Sequence, residues 1–275
     1  MFDKLKYISS TNKVIEFGGK CILINQNNIR NYEWRYSQEF KRISSFNRNP
    51  VTKTLPVLLY NTDDIDVKTM ANNIFDIVEE DVLRQKYGRL YSGDYYMQGY
   101  FISSSKTNYT ADGFLKFNLG FLTDRPYWIG EITYHYAPND VQENEDSQEW
   151  LDYPHDYPYD YRSSFNASNI INPSFIDQNM RIRIYGACVD PSVIIDEHIY
   201  HLDTTILADE YVTIDTTEKT IIKTLDDGTT ENIFNSRGLD YYIFQKIPSG
   251  EHTMMIIPDT AVDLTIFEER SEPKW

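Results

Sequence analysis

The chain has 275 residues, a net charge of −16 at pH 7, a hydrophobic content of 41%, 22 Tyr and 14 Phe. These values describe a folded protein with enough apolar residues for more than one core, and they exclude disorder as the default. An acidic chain lacks the clustered Lys and Arg that phosphate backbones require, so we expect no specific nucleic-acid binding. The sequence has no run of about 18 apolar residues, so we expect no membrane-spanning helix.

The charge is unevenly distributed along the chain. Residues 1–60 carry 10 Lys+Arg and 4 Asp+Glu, a net charge of +6; residues 61–130 carry 7 and 10, or −3; residues 131–275 carry 9 and 28, or −19. The basic first segment is most simply a solvated sheet face. The alternative is a surface complementary to an acidic partner or a neighbouring subunit.

Short apolar runs bounded by polar turns predict β-strands in the first part of the chain. They are Lys13–Phe17, Cys21–Ile24, Ile29–Tyr36 and Leu55–Tyr60. A polar bridge, Ser37–Lys53, separates the last two. Pro56 removes one backbone donor, so we expect its strand to start there or to lie at a sheet edge.

One amphipathic helix is predicted over about Asp64–Lys86, because apolar residues recur there at steps of three and four. One face holds Val67, Met70, Ala71, Ile74, Ile77 and Val78, and the other holds Asp66, Asn73, Asp76, Glu80 and Arg84. Asp63 and Asp64 can accept hydrogen bonds from the free amides of the first turn. Gly88 can adopt the left-handed conformation that ends a helix.

A glycine-punctuated, tyrosine-rich meander follows the helix. Its predicted strands are Leu90–Tyr91, Tyr95–Ile102 and Phe114–Leu122, joined by turns at Ser92–Asp94 and Ala111–Gly113. With the earlier strands and the single helix, they predict an N-terminal domain over residues 1–135 that is a β-sandwich or an open barrel.

The composition changes over residues 136–173. Nine acidic residues lie from Glu131 to Asp160, with no basic residue before Arg162, and proline recurs at Pro154 and Pro158. Such prolines disfavour helix and interior strand, so we predict an acidic, Tyr/Pro-rich linker or arm. Its carboxylates lack the ligand spacing and central glycine of a calcium-binding EF-hand loop.

Residues 174–275 alternate apolar and polar residues in the manner of β-strands. The predicted strands are Met180–Tyr185, Ser192–Ile195, His198–His201, Glu210–Ile214, Thr220–Thr224, Glu231–Phe234, Ile243–Phe244, Thr253–Ile257 and Val262–Phe267. Asp226–Gly228 is a strong hairpin signal between two of them. A second all-β sandwich is the economical packing, and the fold class is therefore mainly β.

No residue pattern predicts a catalytic, cofactor or metal site. The signatures of serine hydrolases, phosphate-binding loops and zinc peptidases are missing. His198 and His201 lie three apart on a predicted strand and therefore point to opposite faces, which makes a poor metal pair. Cys21 and Cys188 have no ligand spacing and are expected to be buried, reduced thiols.

The tyrosine hairpin offers one candidate recognition surface, formed by Gly93, Asp94, Tyr95 and Tyr96. Tyr side chains bind with little loss of entropy, although ordinary sheet packing is an alternative explanation for the same residues. We predict that this hairpin lies at or near a subunit contact.

Fragments spread over nearly the whole chain carry a family resemblance. The first half contains Phe2–Leu5, Val14–Phe17, Lys53–Val57, Gly88–Tyr91, Gly93–Tyr96 and Leu122–Trp128, and the second contains Pro158–Tyr161, Ile184–Gly186, Pro191–Val193, Tyr211–Asp215 and Leu264–Trp275. In their order and spacing, these fragments resemble the distal tail protein family of siphovirus-type phages that infect Gram-positive bacteria.

The resemblance implies a non-enzymatic structural hub of the phage tail tip. Members of this family form a ring, usually a hexamer, below the tail tube. Their first domain, a β-sandwich with one helix, makes the ring, and their second, a galectin-like β-sandwich, holds receptor-binding or baseplate proteins. The implied partners are other copies of the chain, the tail tube protein, a tail-associated hub or lysin protein, and those receptor-binding or baseplate proteins. The implied location is the virion tail, after synthesis in the host cytoplasm from a phage or prophage gene.

The sequence departs from sugar-binding galectins, which set His, Asn and Arg beside a stacking Trp. Residues 136–275 contain only Trp150 and Trp275, so the galectin sugar site is expected to be missing. The alternative function is a carbohydrate-binding module or a glycan-cleaving enzyme, which would act on cell-wall polysaccharide through the aromatic, acidic surface.

Overall fold

The computed structural model describes residues 5–24, 27–62, 66–110, 113–138 and 168–274. It divides into two compact units: the first contains residues 1–131 and 269–275, and the second contains residues 132–268. The described residues are mainly β-strand with a single α-helix, which confirms the predicted fold class. That helix does not combine the length and the apolar character that crossing a membrane requires. Most of the predicted linker, residues 139–167, lies outside the described residues.

The first unit contains the helix. Its elements are β1 (Leu5–Ile8), β2 (Val14–Phe17), β3 (Ile22–Ile24), β4 (Arg35–Glu39), β5 (Arg42–Asn47), β6 (Val51–Tyr60), α1 (Val67–Arg84), β7 (Gly88–Ser92), β8 (Tyr95–Thr110), β9 (Phe114–Thr123) and the start, residues 128–131, of β10 (Trp128–Tyr136). One sheet has the order β2-β1-β7-β8-β10, a second has the order β3-β6-β9-β8, and β4 and β5 form a separate hairpin.

The long strand β8 belongs to both sheets. Its first part, Tyr95–Gly99, pairs with β7, and its second part, Tyr100–Thr110, pairs with β9. The register with β9 shifts at two places, between residues 101 and 103 and between residues 106 and 108. Because such bulges bend a strand and increase its twist, they let β8 pass from one sheet to the other.

The two sheets and the helix enclose one core. Its fully buried members come from both sheets and from α1, and they include Tyr7, Phe17, Leu55, Leu59, Ile74, Leu90, Met97, Phe117, Phe121 and Trp128. The helix contributes the apolar face that its sequence period predicts, with Val67, Ala71, Ile74, Ile77 and Val78 all buried. The first unit is therefore a β-sandwich in which one helix completes the core.

The helix ends differ from the predicted ones. Asp66 is the N-cap, and its carboxylate accepts a hydrogen bond from the Lys68 amide at 3.1 Å; Asp63 and Asp64 lie outside the described residues. Gln85, with φ of 52°, is the left-handed C-cap. Gly88 does not end the helix. It begins β7, where a Cβ would lie 2.0 Å from the Tyr7 hydroxyl oxygen, so this position requires glycine for close packing.

Asp81 extends the buried face of α1, although its side chain is charged. It is 0% exposed, and its carboxylate accepts hydrogen bonds from the Tyr7 hydroxyl at 2.6 Å, the Ser10 amide at 2.9 Å and the Ser10 hydroxyl at 2.6 Å. Burial and the bond to Asp81 raise the pKa of Tyr7 well above its usual range. These donors replace the hydration of the carboxylate and tie the helix to β1.

Two expectations for residues 29–56 are wrong. The predicted polar bridge contains the strands β4 and β5, whereas most of the predicted strand Ile29–Tyr36 is irregular. Pro56 lies inside β6, which is paired along its whole length with β9 and, over Val57–Leu59, also with β3. The Thr54 amide donates to the Asn28 side chain at 2.7 Å and therefore points away from β9. Because amides two residues apart point to the same side of a strand, the missing donor of Pro56 also faces away from β9, at a position that β3 does not pair with.

The second unit consists of β11 (Ser168–Asn172), β12 (Met180–Tyr185), β13 (Cys188–Val189), β14 (Ser192–Ile195), β15 (His198–His201), β16 (Thr205–Ile206), β17 (Tyr211–Asp215), β18 (Thr220–Thr224), β19 (Thr230–Asn232), a 3-10 helix (Phe234–Ser236), β20 (Gly250–Ile257) and β21 (Val262–Arg270). One sheet contains the order β19-β18-β17-β12-β21, and the other has the order β11-β20-β14-β15. Alternate residues of both sheets form a second core. Ile243 and Phe244, predicted as a strand, are buried in a turn.

Candidate interaction surface

The four residues predicted at a subunit contact lie together at the β7–β8 turn. Gly93, with φ of 61°, and Asp94 form the turn and are exposed. Tyr95 is half-buried and packs over Gly130, where a Cβ would come within 2.7 Å of the ring. Tyr96 is buried, and its hydroxyl donates to Glu131 at 2.8 Å. The tyrosines are therefore mainly packing residues, and only the turn itself presents exposed surface for the predicted contact.

A different hairpin, formed by β4 and β5, presents far more apolar surface. Every residue of both strands is exposed, and the pair is hydrogen-bonded to no other described strand. Tyr36 lies opposite Phe46, and Gln38 lies opposite Ile43. The register shifts between Ser37 and Gln38, so Ile43 and Phe46, three positions apart on β5, lie opposite residues on the same face of β4. Tyr36, Phe46 and Ile43 therefore form a single apolar face. These three side chains are 62%, 62% and 56% exposed.

The tip of this hairpin is a two-residue turn made of Phe40 and Lys41. Both residues have positive φ, 46° and 64°, and Phe40 is 100% exposed. Tight hairpins ordinarily place Asn and Gly in this conformation, which costs other residues roughly 1–2 kcal/mol each. Residues in such strained conformations cluster at binding and active sites, which makes Phe40 a candidate binding residue.

The base of the hairpin is fixed to the first unit by an aromatic clamp around Arg48. The guanidinium carbon lies 4.5 Å from the ring centre of Trp34, 4.9 Å from that of Tyr127 and 5.2 Å from that of Tyr32. Its Nη1 donates to the carbonyl oxygen of Pro126 at 2.5 Å. Burial lowers the pKa of Arg48. The clamp holds the hairpin at a defined place without covering its apolar face.

This hairpin could not be predicted from the sequence because it lacks the pattern of a half-buried strand. Neither of its faces is buried, so no strict alternation of apolar and polar residues marks it. Its turn contains Phe40 and Lys41 in place of Gly or Asn. The signal that was present is the group of apolar residues Tyr36, Ile43 and Phe46 on either side of that turn.

The second unit places the histidines of interest in separate contacts. His198 Nε2 lies 3.0 Å from the carbonyl oxygen of Tyr242. His201 Nδ1 lies 2.8 Å from Ser192 Oγ, and its Nε2 lies 3.0 Å from Asp203 Oδ1. Ser192, His201 and Asp203 thus form a hydrogen-bonded Ser-His-Asp chain. Ser192 and His201 lie directly opposite each other in the β14–β15 pairing, so an ordinary cross-strand contact explains their hydrogen bond. Trp150 and Trp275 lie outside the described residues.

Comparison with solved structures relates the whole fold to phage proteins. The Dit protein of phage SPP1, described as a paradigm of the hub adsorption apparatus in phages that infect Gram-positive bacteria, has a TM-score of 0.58 and 9% identity, with 97% of this chain and 99% of that chain covered. A chain of the phage p2 baseplate, in its activated conformation with Ca, has a TM-score of 0.66 and 12% identity, with 99% and 100% covered. The corresponding structure with Sr gives 0.62 and 12%, with the same coverage.

No protein-family model and no curated protein matches the sequence. The structural likeness is therefore one of fold, and it extends over both units. The chain has the fold of phage Dit hub and baseplate proteins.

Proposed function

We propose that this protein is a structural, non-enzymatic hub of a phage tail tip, where it forms a ring that joins the tail tube to the baseplate and receptor-binding components. The likeness of fold to hub and baseplate proteins supports the proposal. The observation that carries it in this chain is the exposed apolar face and tip of the β4–β5 hairpin.

A hairpin of two strands is marginally stable in water, and this one exposes four large apolar side chains. Covering each of them contributes about 1.5–3 kcal/mol. The occupant we propose is a second copy of the chain. The hairpin carries three basic residues and one acidic residue, whereas residues 61–130 have a net charge of −3. When the hairpin of each copy docks on a different surface of the next, the repeated contact must close into a ring to avoid filaments.

The proposed hub makes further contacts, both between copies of the chain and with other tail proteins. The exposed turn at Gly93 and Asp94 lies at or near the same contact between copies. The second unit, as a galectin-like sandwich, holds receptor-binding or baseplate proteins, while the ring faces the tail tube protein and a tail-associated hub or lysin protein. The protein then belongs to the virion tail, and the number of copies in the ring is six.

Replacing Phe40 and Ile43 together by Ser tests the ring. We expect the wild type to form rings in negative-stain images and the double variant to need at least about tenfold higher concentration to assemble, since losing 1.4 kcal/mol of contact is a tenfold change. Phe175→Ser is a matched control, because Phe175 is 94% exposed in the second unit. The proposal is wrong if the wild type stays monomeric at high concentration and beside tail partners, or if the double variant assembles as readily as the control.

A carbohydrate-binding function is the second candidate, favoured by one observation in the second unit. Tyr241 and Tyr242 are 46% and 55% exposed, and the Tyr241 ring lies 5.6 Å from His198. Exposed aromatic rings beside polar groups can stack on sugars. Saturable binding of cell-wall polysaccharide by this chain alone, or release of reducing sugar, would favour this candidate over the hub.

A further inference from the structure

A cavity of about 290 Å³ lies in the first unit beside the base of the β4–β5 hairpin. Its lining includes Asn28, Asn31, Arg35, Arg48 and Lys53. Ligand sites for small molecules begin at about 300 Å³. The cavity is therefore of a size to admit one small group, such as a single acid side chain or a small anion.

Lys53 is the buried charge of this cavity. The residue is 5% exposed, and its Nζ donates one hydrogen bond, to the carbonyl oxygen of Asn31 at 2.5 Å. An ammonium group has three donors, and no acidic side chain forms an ion pair with Lys53 among the residues that the structure describes. Buried charges in proteins are ordinarily paired, because an unpaired one loses its hydration without compensation.

Arg48 adds a second cation to the same wall. Its Nε and Nη2 are shielded from solvent and form no hydrogen bond within the described part of the chain. Burial, together with the charge of Arg48, lowers the pKa of Lys53 to about 8, so Lys53 remains largely protonated at neutral pH. Arg35 is exposed, and Glu33 is the one acidic residue among the described residues that line the cavity. The lining thus contains three cations and one anion.

Neutral donors complete the lining. The Oδ1 atom of Asn28 accepts the Thr54 amide at 2.7 Å, which leaves the Nδ2 group of Asn28 as the part that can bond elsewhere. A cavity with two shielded cations and amide donors is complementary to a group that only accepts hydrogen bonds.

We propose that this cavity binds an oxyanion, a carboxylate or phosphate group, with Lys53 as its central ligand. Two sources of that chemistry fit the size: a small free anion, or a carboxylate side chain from a second copy of this chain. Binding to the protonated amine raises the pKa of Lys53, so affinity falls as the pH rises above about 8. The other titratable groups that line the cavity are Tyr32, Glu33, Arg35 and Arg48.

The test measures Lys53 directly. The pKa of Lys53 is followed by NMR in ¹³C-lysine-labelled wild-type protein, with inorganic phosphate or succinate added at constant ionic strength and with protein concentration varied. Calorimetry compares the wild type with Lys53→Met and with the matched control Lys20→Met, whose side chain is exposed. The NMR experiment needs no variant, so a folding defect in Lys53→Met leaves the test intact.

If a free anion is the ligand, one phosphate or succinate binds per chain, about tenfold more weakly at pH 9 than at pH 7. Lys53→Met then loses this binding and Lys20→Met keeps it. If a second copy supplies the carboxylate, added anions have no effect, whereas self-association raises the pKa of Lys53 and Lys53→Met weakens self-association. The proposal is wrong if the pKa of Lys53 is near 8 and neither added anions nor a higher protein concentration changes it. Phosphate binding by a protein that forms no rings would separate this inference from the proposed function.

Discussion

Replacing Tyr7 by Phe tests whether the buried carboxylate of Asp81 holds the helix to the first strand. The change removes only the hydroxyl group that donates to Asp81 at 2.6 Å and leaves the two hydrogen bonds from Ser10 in place. A hydrogen bond to a charged group contributes a net 1.5–3 kcal/mol, so we expect the free energy of unfolding of the first unit to fall by about that amount.

The assay is urea unfolding followed by tryptophan fluorescence, because Trp128 is 0% exposed in the first unit and reports on its core. The denaturant slope should stay constant while the midpoint falls. Tyr36→Phe is the control: Tyr36 is 62% exposed, and its loss of a hydroxyl should change stability by less than about 0.5 kcal/mol.

A double-mutant cycle with Asp81→Ala, which removes the acceptor, isolates the interaction itself. Because the two groups are in direct contact, we expect a coupling energy of at least about 1 kcal/mol. A Tyr7→Phe protein as stable as Tyr36→Phe, or a cycle without coupling, would show that Asp81 is held by other means and would refute the reasoning.

Two further predictions concern the packing and the turn beside this network. Gly88→Ala should lower the stability of the first unit by about 3 kcal/mol, because the new Cβ would lie 2.0 Å from the Tyr7 hydroxyl oxygen. Gly228→Ala, at φ of 80° with no atom within 4 Å, should cost the second unit about 1 kcal/mol, and thermal unfolding that gives equal losses would contradict this account. Asp94→Lys reverses an exposed charge and leaves the Tyr96 bond to Glu131 unchanged, so it should weaken ring assembly in ultracentrifugation without lowering stability. Assembly identical to wild type would remove this turn from the predicted contact.

The parts of the fold that could be predicted are those whose pattern is local. The helix follows from apolar residues at a period of 3.6, and its observed bounds, Val67–Arg84, lie within three residues of the predicted ones. Strands with one buried face, such as Met180–Tyr185 and Thr220–Thr224, match the predicted bounds. In each case, the spacing of apolar residues in the sequence equals the period at which side chains point to one face of the element.

The parts that could not be predicted depend on distant partners or on exposure. Asp81 falls on the apolar stripe of the helix, but its burial is acceptable only because Tyr7 and Ser10, more than 70 positions earlier, donate to it. Gly88 follows a helix, as a stop signal would, yet the reason for its small size is the same Tyr7. The β4–β5 hairpin has no buried face, so its pattern carries no intramolecular signal.

The position of β1 between β2 and β7 has a consequence for synthesis on the ribosome. β2 follows β1 almost at once, but β7 begins at Gly88, 80 positions after β1 ends at Ile8. At 5–20 residues per second, roughly 4–16 s pass before the second neighbour of β1 is made. During that time one edge of β1 has no partner strand and Tyr7 is not covered. Neighbouring nascent chains on a polysome can form hydrogen bonds with such an open edge.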